Sequence, residues 1–185
     1  MQSLFFIAIL PPTAISNDID EIRKQCSLDH KVYKALKPPV HITIIPPFRL
    51  EQVLESKLIS YLELCRNFQP FEQKLKDYAG FPPRVIFINA MKNPGITALH
   101  KQIKDRIKTF LKESRGSINP HITIAYRDVE PQVYMQIMEE YSKRNFQADF
   151  IVNKFALLKH DGKKWNLFKE FESTSVQEGQ YKMDI

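Results

Sequence analysis

The tetrapeptide His-Ile-Thr-Ile occupies residues 41–44 and occurs again at residues 121–124, an offset of 80 residues. The same offset aligns what surrounds the two copies. Each copy follows a proline, Pro39 or Pro120, and each precedes a turn and an amphipathic segment. A chance recurrence of four residues would not bring matching neighbours with it. We therefore interpret the chain as an internal repeat.

The predicted secondary structure repeats with the tetrapeptide. Apolar residues near helical spacing predict a helix before and after each copy, and short apolar runs bounded by turn residues predict strands. The order β-α-β-α-β-β-α-β-α-β-β is typical of an α+β or mixed α/β protein with two similar lobes. The predicted strands cover 4–10, 41–44, 71–78, 84–90, 121–124, 151–158 and 165–168, and the predicted helices cover 16–36, 51–68, 96–114 and 131–146.

Each His-Ile-Thr-Ile strand has one apolar and one polar face. Because alternate side chains on a strand point to opposite sides, His41 and Thr43 share a face and the isoleucines point the other way. In the second copy the same alternation puts His121, Thr123 and Arg127 together. We predict that the isoleucines enter the core and that the two polar faces line one cleft.

Two histidines and two threonines around one cleft suit transfer at phosphorus. One imidazole can take a proton from the attacking water or hydroxyl while the other protonates the departing oxygen. Histidine is apt because its unperturbed pKa, about 6.5, lies near the working pH. Threonine hydroxyls can donate hydrogen bonds to the phosphate oxygens whose charge grows in the transition state. A single His-x-Thr strand indicates little, but two copies in a repeat indicate a catalytic site.

These motifs resemble the two-histidine phosphoesterase superfamily, which includes bacterial 2′-5′ RNA ligase-like proteins and cyclic nucleotide phosphodiesterases. The similarity covers about residues 3–172, including the segments 4–11, 83–88 and 120–127. The resemblance implies two pseudosymmetric lobes, each an antiparallel sheet with helices outside, flanking a central cleft. It also implies hydrolysis or formation of a 2′,3′-cyclic phosphate or a 2′-5′ phosphodiester without a metal.

The resemblance assigns a role to each residue of the doubled motif. His41 and His121 would be the acid and base, in an order left open, and Thr43 and Thr123 would bind the phosphate. Family members of the ligase type often continue the first motif with a Phe-Leu-Gly type sequence. Here residues 45–48 are Ile-Pro-Pro-Phe, which favours a divergent branch over RNA ligation itself.

Two further residues are candidates for substrate binding. Arg127 could neutralise phosphate charge beside the second motif, or it could be a surface arginine at a strand end. Phe48 could stack on a base or ribose at the cleft mouth, because stacking tolerates any base, or it could simply fill the core after the Pro-Pro turn.

The composition is ordinary for a globular protein, with 43% hydrophobic and 26% charged residues. The net charge of +6, from 27 Lys and Arg against 21 Asp and Glu, favours a polyanionic ligand without identifying it. The two cysteines have no CxxC spacing, and no Cys/His cluster has the spacing of zinc ligands. We therefore expect neither a bound metal nor a cofactor.

The first apolar run, residues 4–10, is stopped by Pro11 and Pro12 and lacks the basic segment of a signal peptide. It is also too short to span a bilayer. We interpret it as a buried first strand and expect a cytoplasmic monomer that does not enter a membrane. We expect one bilobal domain over residues 1–172 and a flexible tail over residues 173–185.

Three functions remain open at this stage. The leading hypothesis is a phosphodiesterase that hydrolyses a 2′,3′-cyclic phosphate on an RNA end or a nucleotide. The second is an enzyme that hydrolyses or joins a 2′-5′ phosphodiester, or that acts on another cyclic phosphate or ester. The third is an RNA- or nucleotide-binding module without turnover, which would have no need of a paired acid and base.

Overall fold

The computed structural model describes residues 1–111 and 118–175. Over these residues the chain forms two four-stranded antiparallel sheets and four α-helices, which confirms the predicted α+β fold with two sheets. The first sheet has the strand order β2-β1-β7-β8, and the second has the order β5-β4-β3-β6. The strands are β1 (Gln2–Ile9), β2 (Ile42–Glu51), β3 (Phe71–Phe81), β4 (Val85–Ala90), β5 (His121–Ala125), β6 (Gln147–Val152), β7 (Lys154–His160) and β8 (Trp165–Glu172).

The four helices occur in the predicted places but are shorter. The first helix ends at His30 because Lys31 adopts a left-handed conformation, with φ 60°, that stops helix propagation. The carboxylate of Asp128 then accepts hydrogen bonds from the backbone N–H groups of Tyr33 and Lys34, at 2.7 and 3.0 Å. The helices are α1 (Thr13–His30), α2 (Glu55–Glu63), α3 (Pro94–Ile107) and α4 (Pro131–Tyr141).

The two sheets exchange strands between the halves of the sequence. The 80-residue offset relates β1 to β4, β2 to β5 and β3 to β7. The strand β3 leaves the first half and lies between β4 and β6, whereas β7 leaves the second half and lies between β1 and β8. Each lobe therefore combines strands from both halves, and neither half contains a complete sheet.

The apolar faces of the doubled motif lie in the core, as strand alternation predicts. Ile42, Ile44, Ile122 and Ile124 are all at most 2% exposed. Phe48 is also buried, and its ring centroid lies 6.2 Å from that of Phe5. Phe48 lies opposite Phe5 in the pairing of β2 with β1, beyond two register shifts at which strict alternation fails, and it belongs to the core and does not line the cleft.

The C-terminal segment is anchored further along than expected. The backbone N–H groups of Ser173 and Thr174 donate to the carbonyls of Asn153 and Arg66, at 2.7 and 2.8 Å. The rest of the predicted tail, from residue 176 on, lies outside the described residues. Among the residues that are described, no helix combines the length and apolar character needed to cross a membrane.

Candidate active site

The two His-Ile-Thr-Ile segments face one cleft of about 290 Å³. The strands that carry them, β2 and β5, lie at the edges of their sheets and adjoin each other there. The structure thus brings all four residues of the doubled motif together, as the polar faces predicted. The cleft is lined by His41, Thr43, His121 and Thr123, by Arg23 and Arg127, by Phe6, Phe81, Tyr126 and Trp165, and by Ala35, Pro38, Pro39, Val40, Pro47 and Val85.

The two imidazoles are held in the same way. The Nδ1 of His41 lies 2.7 Å from the carbonyl oxygen of Pro39, and the Nδ1 of His121 lies 2.8 Å from that of Asn119. Because a carbonyl can only accept, each Nδ1 carries the hydrogen and donates it. In the neutral ring Nε2 is therefore the nitrogen that can accept a proton. The two motifs thus present histidines with the same tautomer to one cleft.

Aromatic neighbours pack against both rings, which remain partly exposed to the cleft. The ring of Phe6 lies 4.8 Å from that of His41, and the rings of Phe87 and Phe81 lie 4.9 and 5.3 Å from that of His121. Burial lowers the pKa of His41 to about 4; the Pro39 carbonyl opposes this effect, and the positive charges of Arg23 and His121 add to it. Burial also lowers the pKa of His121, against the effect of the Asn119 carbonyl. Both rings are therefore mainly neutral at pH 7 before a ligand binds.

Arg127 lines the cleft, although strand alternation does not put it there. The strand β5 ends at Ala125, so the alternation does not extend to residue 127. Arg127 instead takes a left-handed backbone conformation with φ 70°, and its guanidinium lies 5.1 Å from the ring centroid of Tyr126. Its side chain is exposed at the edge of the cleft, where it can reach a bound anion.

Three residues of the cleft, Arg23, Val85 and Trp165, were not expected there from the sequence. Arg23, on α1, is only 2% exposed and contributes to the wall beside the first motif. Trp165 is the repeat counterpart of Val85, and an apolar residue at both positions suggests that they lie in the core. Both residues instead line the cleft, where the ring of Trp165 packs edge-on against that of Phe6 at 4.6 Å. The two positions are equivalent, as the repeat implies, but they belong to the cleft wall and not to the core.

Metal ligands are not clustered in the described part of the chain. Over residues 1–111 and 118–175 no group of three or more His, Cys, Asp or Glu side chains is placed to hold a metal ion. Cys26 and Cys65 are free and buried in the core, away from the cleft lining.

Comparison with known families decides the relationship. A family model described as the 2′-5′ RNA ligase superfamily matches residues 11–164. The chain belongs to this superfamily. The 2′-5′ RNA ligase superfamily is a group of two-histidine phosphoesterases, in agreement with the resemblance carried by the doubled motif.

Solved structures share the fold of this superfamily member. E. coli LigT in complex with 3′-AMP is 19% identical, with a TM-score of 0.65, and the match covers 95% of this chain and 100% of LigT. The protein TT0787 of Thermus thermophilus is 21% identical, with a TM-score of 0.60 and coverage of 91% and 97%. At these identities the similarity establishes the fold. Among curated proteins, no sequence matches the chain significantly.

Proposed function

We propose that the protein is a metal-independent phosphoesterase that hydrolyses a 2′,3′-cyclic phosphate on an RNA end or a nucleotide. The observation that carries the proposal is the pair of histidines that face one cleft from the edges of different sheets, each held through Nδ1 by the carbonyl two residues before it. This arrangement supplies two Nε2 atoms to one small volume. An acid and a base that act on the same phosphorus atom need two such nitrogens within reach of it.

The proposed reaction adds water across one P–O bond of the ring. One histidine is neutral, and its Nε2 takes a proton from water as the water oxygen bonds to phosphorus. The other histidine is protonated, and it gives its Nε2 proton to the ribose oxygen as that oxygen leaves. The products are a phosphomonoester and a free hydroxyl. The hydroxyls of Thr43 and Thr123 and the guanidinium of Arg127 bind the non-bridging oxygens, on which negative charge increases.

Bound phosphate prepares one histidine to act as the acid. Both imidazoles are mainly neutral in the free protein, so one must gain a proton before turnover. A phosphate anion between the rings favours the protonated form of each, which raises the pKa values again. Anion binding and formation of the acid are therefore coupled.

A nucleotide-sized phosphate ester is supported as the substrate class. The net charge of +6 attracts anions, and Trp165 and Phe81 offer apolar surface on the cleft wall. E. coli LigT, which shares the fold, has been solved with 3′-AMP and with phosphate. For this chain we propose the same kind of ligand, on the strength of its own two histidines and two threonines.

The name of the superfamily favours a second candidate, which is action on a 2′-5′ phosphodiester. The same acid and base would serve if a ribose hydroxyl replaced water as the attacking group. Whether the enzyme hydrolyses or joins the phosphodiester would then depend on whether water or a ribose hydroxyl lies beside phosphorus, and not on different catalytic residues.

The first experiment is to incubate the purified protein, in EDTA, with short RNAs ending in a 2′,3′-cyclic phosphate. We expect opening to a monophosphate, and identification of the 2′- or 3′-product shows which oxygen leaves. An RNA with one internal 2′-5′ linkage tests the second candidate in parallel. Binding without turnover of either substrate would contradict both enzymes and favour a binding module.

The pH dependence of kcat/KM is expected to be bell-shaped with its maximum on the acid side of neutrality. This parameter reports the free enzyme, in which both histidine pKa values are lowered. The rising limb marks loss of the proton from the base and the falling limb marks its loss from the acid, so both limbs lie below the ordinary histidine pKa of about 6.5. Because the bound anion raises both pKa values, the limbs of kcat should lie at higher pH. A maximum of kcat/KM on the alkaline side would contradict the assignment.

A further inference from the structure

The helix α1 carries a buried arginine, Arg23, at a position where the other half of the repeat has an apolar residue. Arg23 is 2% exposed, and its repeat counterpart 80 residues later is Ile103, which is fully buried in the core. Burying a guanidinium is costly unless each polar atom finds a partner, and the Nε of Arg23 has none within the described residues. An apolar residue serves the equivalent position in the other half, so packing alone does not account for the arginine.

One nitrogen of Arg23 is held by its own helix, and another holds the chain that leads into the first motif. Its Nη1 donates to the carboxylate of Asp20 at 3.0 Å, and its Nη2 donates to the carbonyl of Pro38 at 2.9 Å. The next carbonyl along the chain, that of Pro39, accepts the Nδ1–H of His41. Asp20 thus fixes one arm of the guanidinium on α1, and the other arm supports the peptide that orients the ring of His41.

The repeat counterpart of Arg23 cannot support the second motif in the same way. His121 is held by the carbonyl of Asn119, but Ile103, at the position equivalent to Arg23, has no side-chain donor. The charged or titratable groups on the cleft wall around His41 are Arg23 from α1, His121 from β5 and Arg127 from the turn after β5. Of these three groups Arg23 is the buried one. It makes the surroundings of His41 differ from those of His121.

We propose that Arg23 is a positioning residue for the phosphoester reaction, which holds the Pro38 carbonyl so that the backbone before His41 keeps that ring in its reactive orientation. The inference rests on the proposed function for its catalytic consequence. Its structural part, the coupling of Arg23 to His41 and not to His121, can be measured without any substrate. The two parts therefore fail separately.

The test compares three variants: Arg23→Met, Arg23→Lys and, as a matched control at the equivalent depth in the other half, Ile103→Met. We expect Arg23→Met to lower kcat/KM on a 2′,3′-cyclic phosphate by ~10²-fold, the loss that misplacing a catalytic group produces. Its melting temperature should not fall, because an apolar side chain replaces a buried charge whose partner Asp20 is already partly solvated. Ile103→Met should leave kcat/KM unchanged.

The same variants are titrated by NMR, since the chain has five histidines whose ring signals can be assigned. In Arg23→Met we expect His41 to titrate at higher pH than in the wild type while His121 stays where it is. In Arg23→Lys the positive charge remains but the two-donor fork is lost. In this variant the pKa of His41 should remain lowered while kcat/KM is still reduced. That result separates the effect of ring orientation on the rate from the effect of the positive charge on the pKa.

Several results would overturn the inference. One is wild-type kcat/KM in both arginine variants. Another is an equal movement of His41 and His121 in the NMR titration. A third is a loss of activity in Arg23→Met that matches its loss of folded protein. If the wild type itself turned over no phosphoester while His41 alone moved in Arg23→Met, the coupling would stand and the proposed function would fail.

Discussion

Replacing either His41 or His121 with alanine is expected to lower kcat on a 2′,3′-cyclic phosphate by ~10²–10⁴-fold, the usual contribution of a positioned acid or base. Each ring supplies the only imidazole Nε2 on its wall of the cleft within the described residues. Because one proton must arrive as the other departs, the two act as a unit. The double variant is therefore expected to be little worse than the less active single variant.

Single-turnover rates measured at the pH optimum of the wild type provide the readout. His100→Ala is a suitable control, since His100 lies on α3 and does not line the cleft. Thermal unfolding of each variant shows that the loss is chemical. Full activity in either His41→Ala or His121→Ala would contradict a paired mechanism and would leave a single histidine to be explained.

Dividing the chain between its halves is expected to abolish the folding of both pieces. A fragment ending at residue 82 keeps β1 but loses its neighbour β7, and its β3 loses both β4 and β6. Core side chains such as Phe5 and Ile7, which are fully buried in the intact protein, would then face water. We expect neither fragment to show cooperative unfolding by circular dichroism, and we expect mixing to restore some helix and sheet.

A cut that leaves both sheets complete is the matched control. The turn between β7 and β8 contains Gly162, whose φ of 99° is left-handed and which has no neighbouring atoms around its missing side chain. Proteolysis at a cleavage site inserted there should leave the fold intact, because β7 and β8 remain hydrogen-bonded to each other. Cooperative unfolding of the isolated 1–82 fragment would contradict the strand exchange.

Much of the site was predictable because strand alternation is a local property. The parity of residues 41–44 and 121–124 alone places histidine and threonine on one side and isoleucine on the other. The constant offset then indicates that the two strands are equivalent. Together these two facts predict the fold class and the four central residues, and the structure brings those residues together in one cleft.

What the sequence could not show depends on long-range packing. Arg23 lies in an amphipathic helix, where an arginine is ordinarily solvated, and no local pattern distinguishes it from its neighbours. Arg127 reaches the cleft through a left-handed turn that alternation does not describe. Phe48 lies in the core beyond two register shifts in the pairing of β2 with β1, where simple alternation fails, since Ile45 is buried and Pro46 is exposed.

The exchange of β3 and β7 between the sheets is also consistent with an origin of this fold by gene duplication. The strand β3 pairs with β4, the equivalent of β1 in the other half, and β7 pairs with β1, so two identical copies of an 80-residue repeat could each lend that strand to the other about a twofold axis. Such a homodimer would already enclose a cleft with two histidines and two threonines. Duplication and fusion of its gene would join the copies end to end. Only after fusion could one half acquire an arginine at the place where the other keeps Ile103.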